Sequence, residues 1–451
     1  MAIESRLEEQ TKTNIAKNVI LFIGDGMGVS TVTAARILDG QSKGGYGEEN
    51  ILPFETFPNL ALVKTYNTNQ QVPDSAGTAS SMNTGVKTRA GVLGISSEAH
   101  RKNCKEALRH TVPTLGELAK RQGKSLGIVT TARLTHATPA AVYAHTPERN
   151  WESEDELPAD ARAEGCRSIA RQLVDFGNGI DVAFGGGRGK FSSALLERWK
   201  KHTFSSRLIT DREGLMGLTS NDKDPVLGLF SMSHMTYMLD KTPDNTEPTL
   251  SEMTSKAIDL LSERREGFYL MVEGGRIDHG HHAGIAGLAL TEAQEFSKAV
   301  QVALDKVDLS ETLILVTADH SHVFTIAGYP TRGNPILGLA YGNDTTGDPS
   351  GKVLIALDGV PITALGYQNG PGAIGGRRTN PETGLRARQQ ALVPTGYHSG
   401  ENPKKSETHA GEDVALYAIG PWAHLASGVM EQNVIFHIIT HAYGWDAPYF
   451  E

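Results

Sequence analysis

Short apolar runs alternate along this chain with polar segments, and several have the composition of buried strands. Examples are NVILFIG at residues 18–24, SLGIVTTA at 125–132 and TLILVTA at 312–318. Residues 29–38 and 111–122 have helix-forming sequences instead. Because the order of strand, turn and helix repeats along the chain, we predict an α/β fold with a large, mostly parallel central sheet flanked by helices.

Two segments differ from this pattern. Residues 1–17 are polar and prone to form a helix, so we predict an N-terminal helical arm there. Residues 366–406 are rich in Gly, Pro and Asn and show little periodicity, as a disordered surface loop would. Long ordered loops in compact domains tend to be functional, however, and His409 follows directly. We therefore interpret 366–406 as a loop-rich insertion close to the functional site.

Carboxylates and histidines come directly after or close to apolar runs in four places. These residues are Asp25, then Glu273, Asp278 and His282, then Asp319 and His320, and finally His409, which precedes an apolar run. Any one of them alone is more typical of a helix cap or an ordinary polar contact. Together they indicate a site at the carboxyl ends of parallel strands, where an open α/β sheet places its chemistry.

The ligand types narrow the chemistry of this site. Asp278 and His282 are four residues apart, so on a helix both would face the same way. Oxygen and imidazole ligands without paired cysteines are typical of sites for Zn²⁺ or Mg²⁺. Since there are more such ligands than one ion needs, the sequence predicts a hydrolytic centre with several metal ions.

Ser75 and Arg149 are the candidate catalytic residues beside these ligands. Ser75 opens a run of small residues after Asp74, where a helix N-terminus would attract an anion such as phosphate, although plain N-capping explains the same pattern. A serine hydroxyl needs a base or a metal ion to become a nucleophile, and no G-x-S-x-G motif surrounds it. Arg149 could hold two phosphate oxygens through its planar guanidinium.

Composition excludes some classes of protein. The chain of 451 residues fits several average domains or one large α/β domain with insertions. Lys and Arg number 43 against 52 Asp and Glu, a formal charge of -9, which argues against a nucleic-acid binder. No apolar run reaches about 18 residues, so we expect no membrane span. The N-terminal residues lack the apolar core of a signal peptide, which fits a cytosolic protein or a chain that starts at its mature end.

Five segments carry a resemblance to alkaline phosphatases, and to the animal-type members more than to the enteric bacterial one. They are VPDSAGTASSMNTGVKT, THATPAAVYAHTPERNW, VEGGRIDHGHH, TADHSHVFTIAGYP and ETHAGEDVALYAIGP. The similarity extends from about residue 17 to about residue 438. It implies one domain over residues 1–451, with 366–406 as the crown of the family. It also implies hydrolysis of phosphate monoesters through a phosphoserine on Ser75, with inorganic phosphate as a product inhibitor.

The resemblance further implies two Zn²⁺ and one Mg²⁺ per subunit, with ligands assigned position by position. The first zinc would be held by Asp278, His282 and His409, the second by Asp319, His320 and Asp25, and the magnesium by Glu273, Thr138 and Asp25. His136, His279 and His322 would support these ligands. The enteric enzyme has aspartate and lysine in place of His136 and His279, and the histidine pair implies looser magnesium binding and a more alkaline optimum.

Four more expectations depend on the resemblance. Cys104 and Cys166, whose spacing alone permits a disulfide without requiring one, would form a bridge. A disulfide favours a periplasmic or secreted protein. The family implies a homodimer, and Tyr367 resembles a tyrosine that reaches toward the partner's site. Ser231 replaces a glutamate of the animal-type calcium site, so that site would be absent or altered although Glu247 is retained.

Other proteins could use a similar set of ligands. Sulfatases need a modifiable residue in a C/S-x-P-x-R context, which Ser75 lacks. Phosphodiesterases commonly use threonine and lack an arginine such as Arg149, and cofactor-independent phosphoglycerate mutases are a further alternative. A non-catalytic protein that binds metal or phosphate would have no reason to keep both Ser75 and Arg149.

Overall fold

The computed structural model describes most of the chain. The described residues are 10–177, 179–202, 206–220, 222, 224–374, 377–378, 381–393, 397–399, 402–404 and 406–445. Buried apolar side chains from Ala16 to Tyr443 form one main core, and two small clusters lie beside it. No helix in this part of the chain combines the length and the hydropathy that a membrane crossing requires.

The strands are mostly short and are numbered in chain order. They are β1 (Asn18–Gly24), β2 (Asn59–Lys64), β3 (Ser125–Arg133), β4 (Val182–Gly186), β5 (Arg207–Ile209), β6 (Val226–Leu229), β7 (Phe268–Glu273), β8 (Thr312–Ala318), β9 (Ser321–His322), β10 (Phe324–Ile326), β11 (Tyr341–Asn343), β12 (Pro349–Val353), β13 (Leu365–Asn369), β14 (Ala373–Ile374), β15 (Arg377–Arg378), β16 (Gln390–Val393), β17 (Tyr397–Ser399), β18 (Asn402–Lys404), β19 (His409–Ala410), β20 (Val414–Ile419) and β21 (Gly428–Glu431).

The helices connect these strands. They are α1 (Val29–Ser42), α2 (Ser75–Thr84), α3 (Cys104–Ala107), α4 (Leu115–Arg121), α5 (Ala137–Ala140), α6 (Ala159–Ala163), α7 (Ile169–Val174), α8 (Ser193–His202), α9 (Arg212–Met216), α10 (Leu250–Ser262), α11 (Arg276–His282), α12 (Ala286–Lys306) and α13 (Val434–Ala442). Short 3₁₀ helices occupy Pro53–Thr56, Arg188–Lys190, Met238–Asp240 and Ala423–Leu425.

Ten strands form the central sheet, in the order β21-β2-β20-β8-β1-β7-β3-β4-β6-β5. Every pairing is parallel except the two that β20 makes with β2 and β8. All residues of β1 and β8 are buried, as is typical of strands covered by helices on both faces. The predicted α/β fold with a large, mostly parallel sheet is therefore confirmed.

The four adjacent strands β8, β1, β7 and β3 place the functional residues. Asp25 follows the last residue of β1, Glu273 is the last residue of β7, and Asp319 follows β8. Parallel pairing aligns these strand ends, since Ile23 lies opposite Glu273 and Gly24 lies opposite Ala318. The carboxyl ends of central strands therefore form one edge of the sheet that bears the carboxylates, as the sequence predicts.

The segment 366–406 contains short strands within the described residues. Strand β13 pairs with β10 and β16 in a small sheet of three strands, and β14 with β15 and β17 with β18 form short ladders. The described residues between 366 and 406 thus include several short paired strands. Tyr367 lies in β13 and is only 3% exposed.

Two further expectations concern covalent and terminal structure. Cys104 and Cys166 form a disulfide, which confirms that pairing. The predicted helical arm is not helical over residues 10–17, and residues 1–9 lie outside the described residues. The backbone of 10–17 bonds to distant parts of the chain instead, because Lys12 accepts from the Trp422 N–H at 2.8 Å and Ala16 donates to Ala442 at 2.7 Å.

Candidate active site

Ser75 is the first residue of α2, and its neighbour Asp74 caps this helix. The Asp74 carboxylate accepts a hydrogen bond from the Gly77 N–H at 3.1 Å and another from the Gly91 N–H at 2.9 Å. The Ser75 Oγ lies 3.1 Å from His320 Nε2 and 3.5 Å from Asp25 Oδ1. Asp74, and not Ser75, therefore caps the helix. The Ser75 hydroxyl is left free to face Asp25 and His320.

Arg149 is fixed beside Ser75 by the same aspartate. Its Nη1 donates to Asp74 Oδ2 at 3.1 Å, and its Nη2 lies 3.2 Å from His136 Nε2. The side chain is 18% exposed. Asp74 therefore orients both the helix that carries the serine and the guanidinium that would hold phosphate. The sequence suggested Asp74 as a cap, but its contact with an arginine 75 residues away was not predictable from local spacing.

Asp278, His282 and His409 meet at one point. The Asp278 Oδ1 lies 3.2 Å from His282 Nε2 and 3.3 Å from His409 Nε2, and the two imidazole nitrogens are 3.2 Å apart. Each ring donates its other N–H to a backbone carbonyl, His282 to Glu407 and His409 to Pro73, both at 2.8 Å. Lone pairs of two nitrogens and an anionic oxygen therefore face one another, an arrangement that a cation would stabilise.

A second group consists of Asp25, Asp319 and His320, all fully buried. His320 Nε2 lies 3.3 Å from Asp25 Oδ1 and 3.3 Å from Asp319 Oδ2. The Asp319 Oδ1 accepts from the N–H groups of Gly26 and His320 at 2.9 Å. The remaining oxygens, Asp25 Oδ2 and Asp319 Oδ2, are buried and accept no hydrogen bond from any described residue.

A third group forms around Glu273. Its Oε2 accepts from the Thr130 hydroxyl, whereas its Oε1 is buried and has no hydrogen-bond partner among the residues described above. Asp25, His136 and Glu273 each bring one potential ligand atom to a common point. Thr138 lies in α5, two residues after His136, and its hydroxyl and that of Thr130 partly offset the rise in the pKa of Glu273 that burial causes.

The pKa values show how strongly the acidic groups interact. Burial, and then repulsion from Asp319 and other carboxylates, raises the pKa of Asp25 well above its usual value. Burial is also the main reason that the pKa of Glu273 rises to about 7 and that of Asp319 to about 6. Burial would raise the pKa of Asp278 too, but contacts with His282 and other histidines hold it well below its usual range. Cations would relieve this concentration of buried negative charge.

A buried acid that the sequence did not single out supports the first group. Glu407 is fully buried, and its Oε2 lies 2.6 Å from His322 Nδ1. His322 Nε2 lies 2.9 Å from Asp278 Oδ1, so a carboxylate, an imidazole and a second carboxylate are linked in sequence. The Glu407 carbonyl also accepts from His282, as described above. The predicted supporting position of His322 is consistent with this chain of contacts.

A glycine allows this packing near Asp25. Gly26 has a φ of +71°, a conformation that suits glycine, and a Cβ added there would collide with the His322 ring. The pairing of β19 with β9 places His409 opposite His322. The glycine after Asp25 and this short ladder together bring distant histidines onto the sheet edge.

Tyr367, Ser231 and Glu247 each have a hydrogen-bond partner within this chain. The Tyr367 hydroxyl lies 2.8 Å from Nδ1 of His281, and the residue is buried. Ser231 donates to the Ser233 carbonyl, and the Glu247 carboxylate accepts from the Thr236 N–H at 2.7 Å. Both side chains thus have local partners.

His279 and His234, which the sequence did not predict, lie near His136. The ring centroids of His234 and His279 are 4.2 Å apart, and those of His136 and His279 are 5.6 Å apart. His234 comes from the loop after β6, far from the other ligand motifs in sequence, so no spacing signal could have identified it.

Comparison with known proteins places the chain in a family. The alkaline phosphatase family model matches residues 16–444. The chain is 45% identical to the tissue-nonspecific alkaline phosphatase of Gallus gallus over 458 residues, which cover 95% of this chain and 85% of the relative. It is 44% identical to the corresponding human protein over 464 residues, 96% of this chain and 85% of the relative. The chain therefore belongs to the alkaline phosphatase family.

Solved structures of alkaline phosphatases share the fold at lower identity. The alkaline phosphatase of the Antarctic bacterium TAB5 has a TM-score of 0.65 and 23% identity, covering 96% of this chain and 100% of that one. A variant of it is described with bound Mg, at a TM-score of 0.66 and 23% identity, covering 97% and 100%. The Thermus thermophilus enzyme has a TM-score of 0.69 and 22% identity, covering 98% and 94%.

Proposed function

We propose that this protein hydrolyses phosphate monoesters to an alcohol and inorganic phosphate, with Ser75 as the nucleophile that forms a phosphoserine. The observation that carries this proposal is the position of Ser75 at a helix N-terminus. Its Oγ lies 3.1 Å from His320 Nε2, and Arg149 is paired with the preceding residue, Asp74. A phosphate there would face free backbone N–H groups and a guanidinium, and the nucleophile would be within reach of its phosphorus.

The donor sets fit two zinc ions and one magnesium ion. Asp278, His282 and His409 would hold one zinc, Asp25, Asp319 and His320 the other, and Asp25, Glu273 and Thr138 the magnesium. The facing lone pairs and the unpartnered oxygens of Asp25, Asp319 and Glu273 support this assignment. When bound, such ions lower the pKa of a hydroxyl and stabilise the charge of a transferring phosphoryl group.

The side chains of this protein perform the remaining tasks. Asp74 fixes the orientation of Arg149, so that its guanidinium can bind two phosphate oxygens without reorganising. Ser75 is 2% exposed, so little of it contacts bulk water. Inorganic phosphate would make the same contacts as the phosphoryl group of a substrate, so we expect it to act as a product inhibitor.

His136, His279 and His322 would support the ligands rather than bind the metal ions directly. His322 links Asp278 to Glu407, and His136 contacts Arg149. We further propose that the protein forms a homodimer, as the family suggests. The Cys104–Cys166 disulfide supports a periplasmic or secreted location.

A panel of three substrates tests the reaction class. We expect rapid hydrolysis of p-nitrophenyl phosphate at alkaline pH and little hydrolysis of bis-p-nitrophenyl phosphate or p-nitrophenyl sulfate. The reason is that Arg149 and the helix N-terminus are arranged for a terminal phosphate with free oxygens. Preference for the diester or the sulfate would assign a sister activity, and no hydrolysis of any of the three would favour a binding protein.

Glu407 offers a test of the first zinc site that does not depend on turnover. We expect Glu407→Gln to weaken zinc binding by about 10–100-fold, since residues that orient metal ligands typically contribute that much. The reason is that the charge facing His322 and Asp278 is removed. Zinc affinity would be measured by competition with a chromophoric chelator.

Glu412→Gln is the matched control for this measurement. Glu412 is exposed, lies five residues further along the chain and accepts from Ser321 Oγ at 2.7 Å without touching the imidazoles of the first group. Equal zinc affinities in the wild type and the Glu407→Gln variant would show that Glu407 does not position this site.

A further inference from the structure

Three imidazoles cluster beside Arg149, outside the ligand sets assigned above. The ring centroid of His136 lies 5.2 Å from that of His234 and 5.6 Å from that of His279, and the last two are 4.2 Å apart. Each residue brings a ring nitrogen to a common point, so by residue type alone the group resembles a zinc site with three histidines.

The arginines around this cluster argue against that interpretation. His136 Nε2 faces Arg149 Nη2 at 3.2 Å, and His279 Nδ1 faces Arg276 Nη1 at 3.0 Å. His234 Nε2 faces Nη1 of a third arginine, Arg133. A guanidinium can only donate, so each contacted ring nitrogen carries the lone pair and the opposite nitrogen carries the hydrogen.

Metal-binding histidines usually show the reverse arrangement. Their N–H points away from the ion to a carbonyl or carboxylate, as it does in His282 and His409 of this structure. In His136 and His234 the hydrogen is instead on Nδ1, which is buried and has no hydrogen-bond partner in the part of the chain that the structure describes. The cluster is therefore a set of N–H donors and not a set of metal ligands.

The contact with an arginine engages the lone pair of one ring nitrogen in each of the three imidazoles. Each ring therefore keeps one N–H to donate and one lone pair for its arginine.

Arg276 differs from the other two arginines because no described carboxylate forms an ion pair with it. Arg133 is paired with Glu152 through two contacts of 2.8 and 2.6 Å, and Arg149 is paired with Asp74. Arg276 has no ion pair among the described residues. Its guanidinium lies over the ring of Tyr237 at 3.6 Å, and its buried Nε has no hydrogen-bond partner.

Glu292, whose carboxylate interacts electrostatically with Arg276, and Asp278, two residues further along the chain, have other partners. The Glu292 Oε1 accepts from the Met238 N–H at 2.6 Å. Asp278 contacts the histidines of the first ligand group, and its Oδ2 lies 4.0 Å from His279 Nε2, beyond hydrogen-bond distance. Arg276 thus keeps its capacity to bind an anion, and it contacts His279, which follows Asp278 in the chain.

We propose that Arg276, together with the N–H groups of His234 and His279, forms a subsite for a second acidic group of the substrate, beside the phosphate held by Arg149. This inference rests on the proposed function of the site. The group bound would be a phosphate or a carboxylate, because both accept hydrogen bonds from a guanidinium and from imidazole N–H groups. The preferred substrates are then phosphate monoesters with an additional negative charge close to the ester oxygen.

The test compares substrates that differ in this charge. Glycerol 1-phosphate has a neutral alcohol part, 3-phosphoglycerate has a carboxylate at the corresponding end, and pyrophosphate has a second phosphate. In Arg276→Gln and in His234→Gln we expect kcat/KM for the acidic substrates to fall about tenfold relative to kcat/KM for glycerol 1-phosphate, the effect of one charge-assisted hydrogen bond. A larger fall for pyrophosphate or for 3-phosphoglycerate identifies which acidic group the subsite binds.

Arg212→Gln is the control, because Arg212 is a surface arginine paired with Glu252. It should leave the ratio of kcat/KM values at its wild-type level. Unchanged ratios in both subsite variants would overturn the inference, as would the loss of one bound zinc per chain in His234→Gln, which would indicate a metal site. A wild-type enzyme that hydrolyses none of the three substrates would instead overturn the proposed function.

Discussion

Replacement of Ser75 by alanine is expected to reduce phosphomonoester turnover at least about 1,000-fold, since the variant lacks the oxygen that attacks phosphorus. The helix that carries Ser75 should persist, because its cap comes from Asp74 and not from the serine hydroxyl. Arg149 and the proposed metal ligands also remain. Phosphate and metal ions should therefore still bind, and the loss should appear in kcat.

Two measurements separate this effect from a general loss of structure. Rapid acid quenching with labelled substrate should trap a phosphoenzyme in the wild type and none in Ser75→Ala. Ser80→Ala is the matched control, since Ser80 is a buried serine of the same helix whose hydroxyl donates to the Val92 carbonyl at 3.1 Å. Near-full activity of Ser75→Ala without a trappable phosphoenzyme would contradict the assignment of the nucleophile.

The sequence predicted the parts of the site that follow directly from strand ends. Continuous apolar runs determine β1 and β8, so the residues after them, Asp25 and Asp319, necessarily lie at the carboxyl edge of the sheet. Asp278 and His282 share a face of α11 because of helical spacing. These relations are local, and local patterns are what a single sequence records most clearly.

The residues that the sequence did not identify depend on contacts between distant segments. Glu407 reaches His322 across 85 residues, and His234 meets His279 through a loop with no regular pattern. The contact of Tyr367 with His281 likewise joins residues 86 positions apart. The helix expected before residue 17 is absent over 10–17, since helix propensity there is overridden by backbone bonds to residues near the C-terminus.

Removal of metal ions is expected to lower turnover by about 1,000-fold or more, and zinc with magnesium should restore it. A bound ion that stabilises a transferring phosphoryl group contributes several kcal/mol, and each 1.4 kcal/mol changes the rate about tenfold. Chelation followed by dialysis would be checked by elemental analysis, and turnover of p-nitrophenyl phosphate would be measured before and after metal addition. Full turnover in protein shown to be free of metal would contradict the proposed role of the ligand groups.

Proton release provides a second readout of the same sites. The raised pKa values of Glu273, about 7, and Asp319, about 6, mean that these carboxyls are partly protonated near neutral pH when no cation is present. Because metal ions bind the ionised form, metal addition should release more protons at pH 6 than at pH 9. Calorimetry in buffers with different ionisation enthalpies would count the protons. Equal release at both pH values would show that these carboxyls are already ionised before the metal binds. That result would contradict the raised pKa values of Glu273 and Asp319.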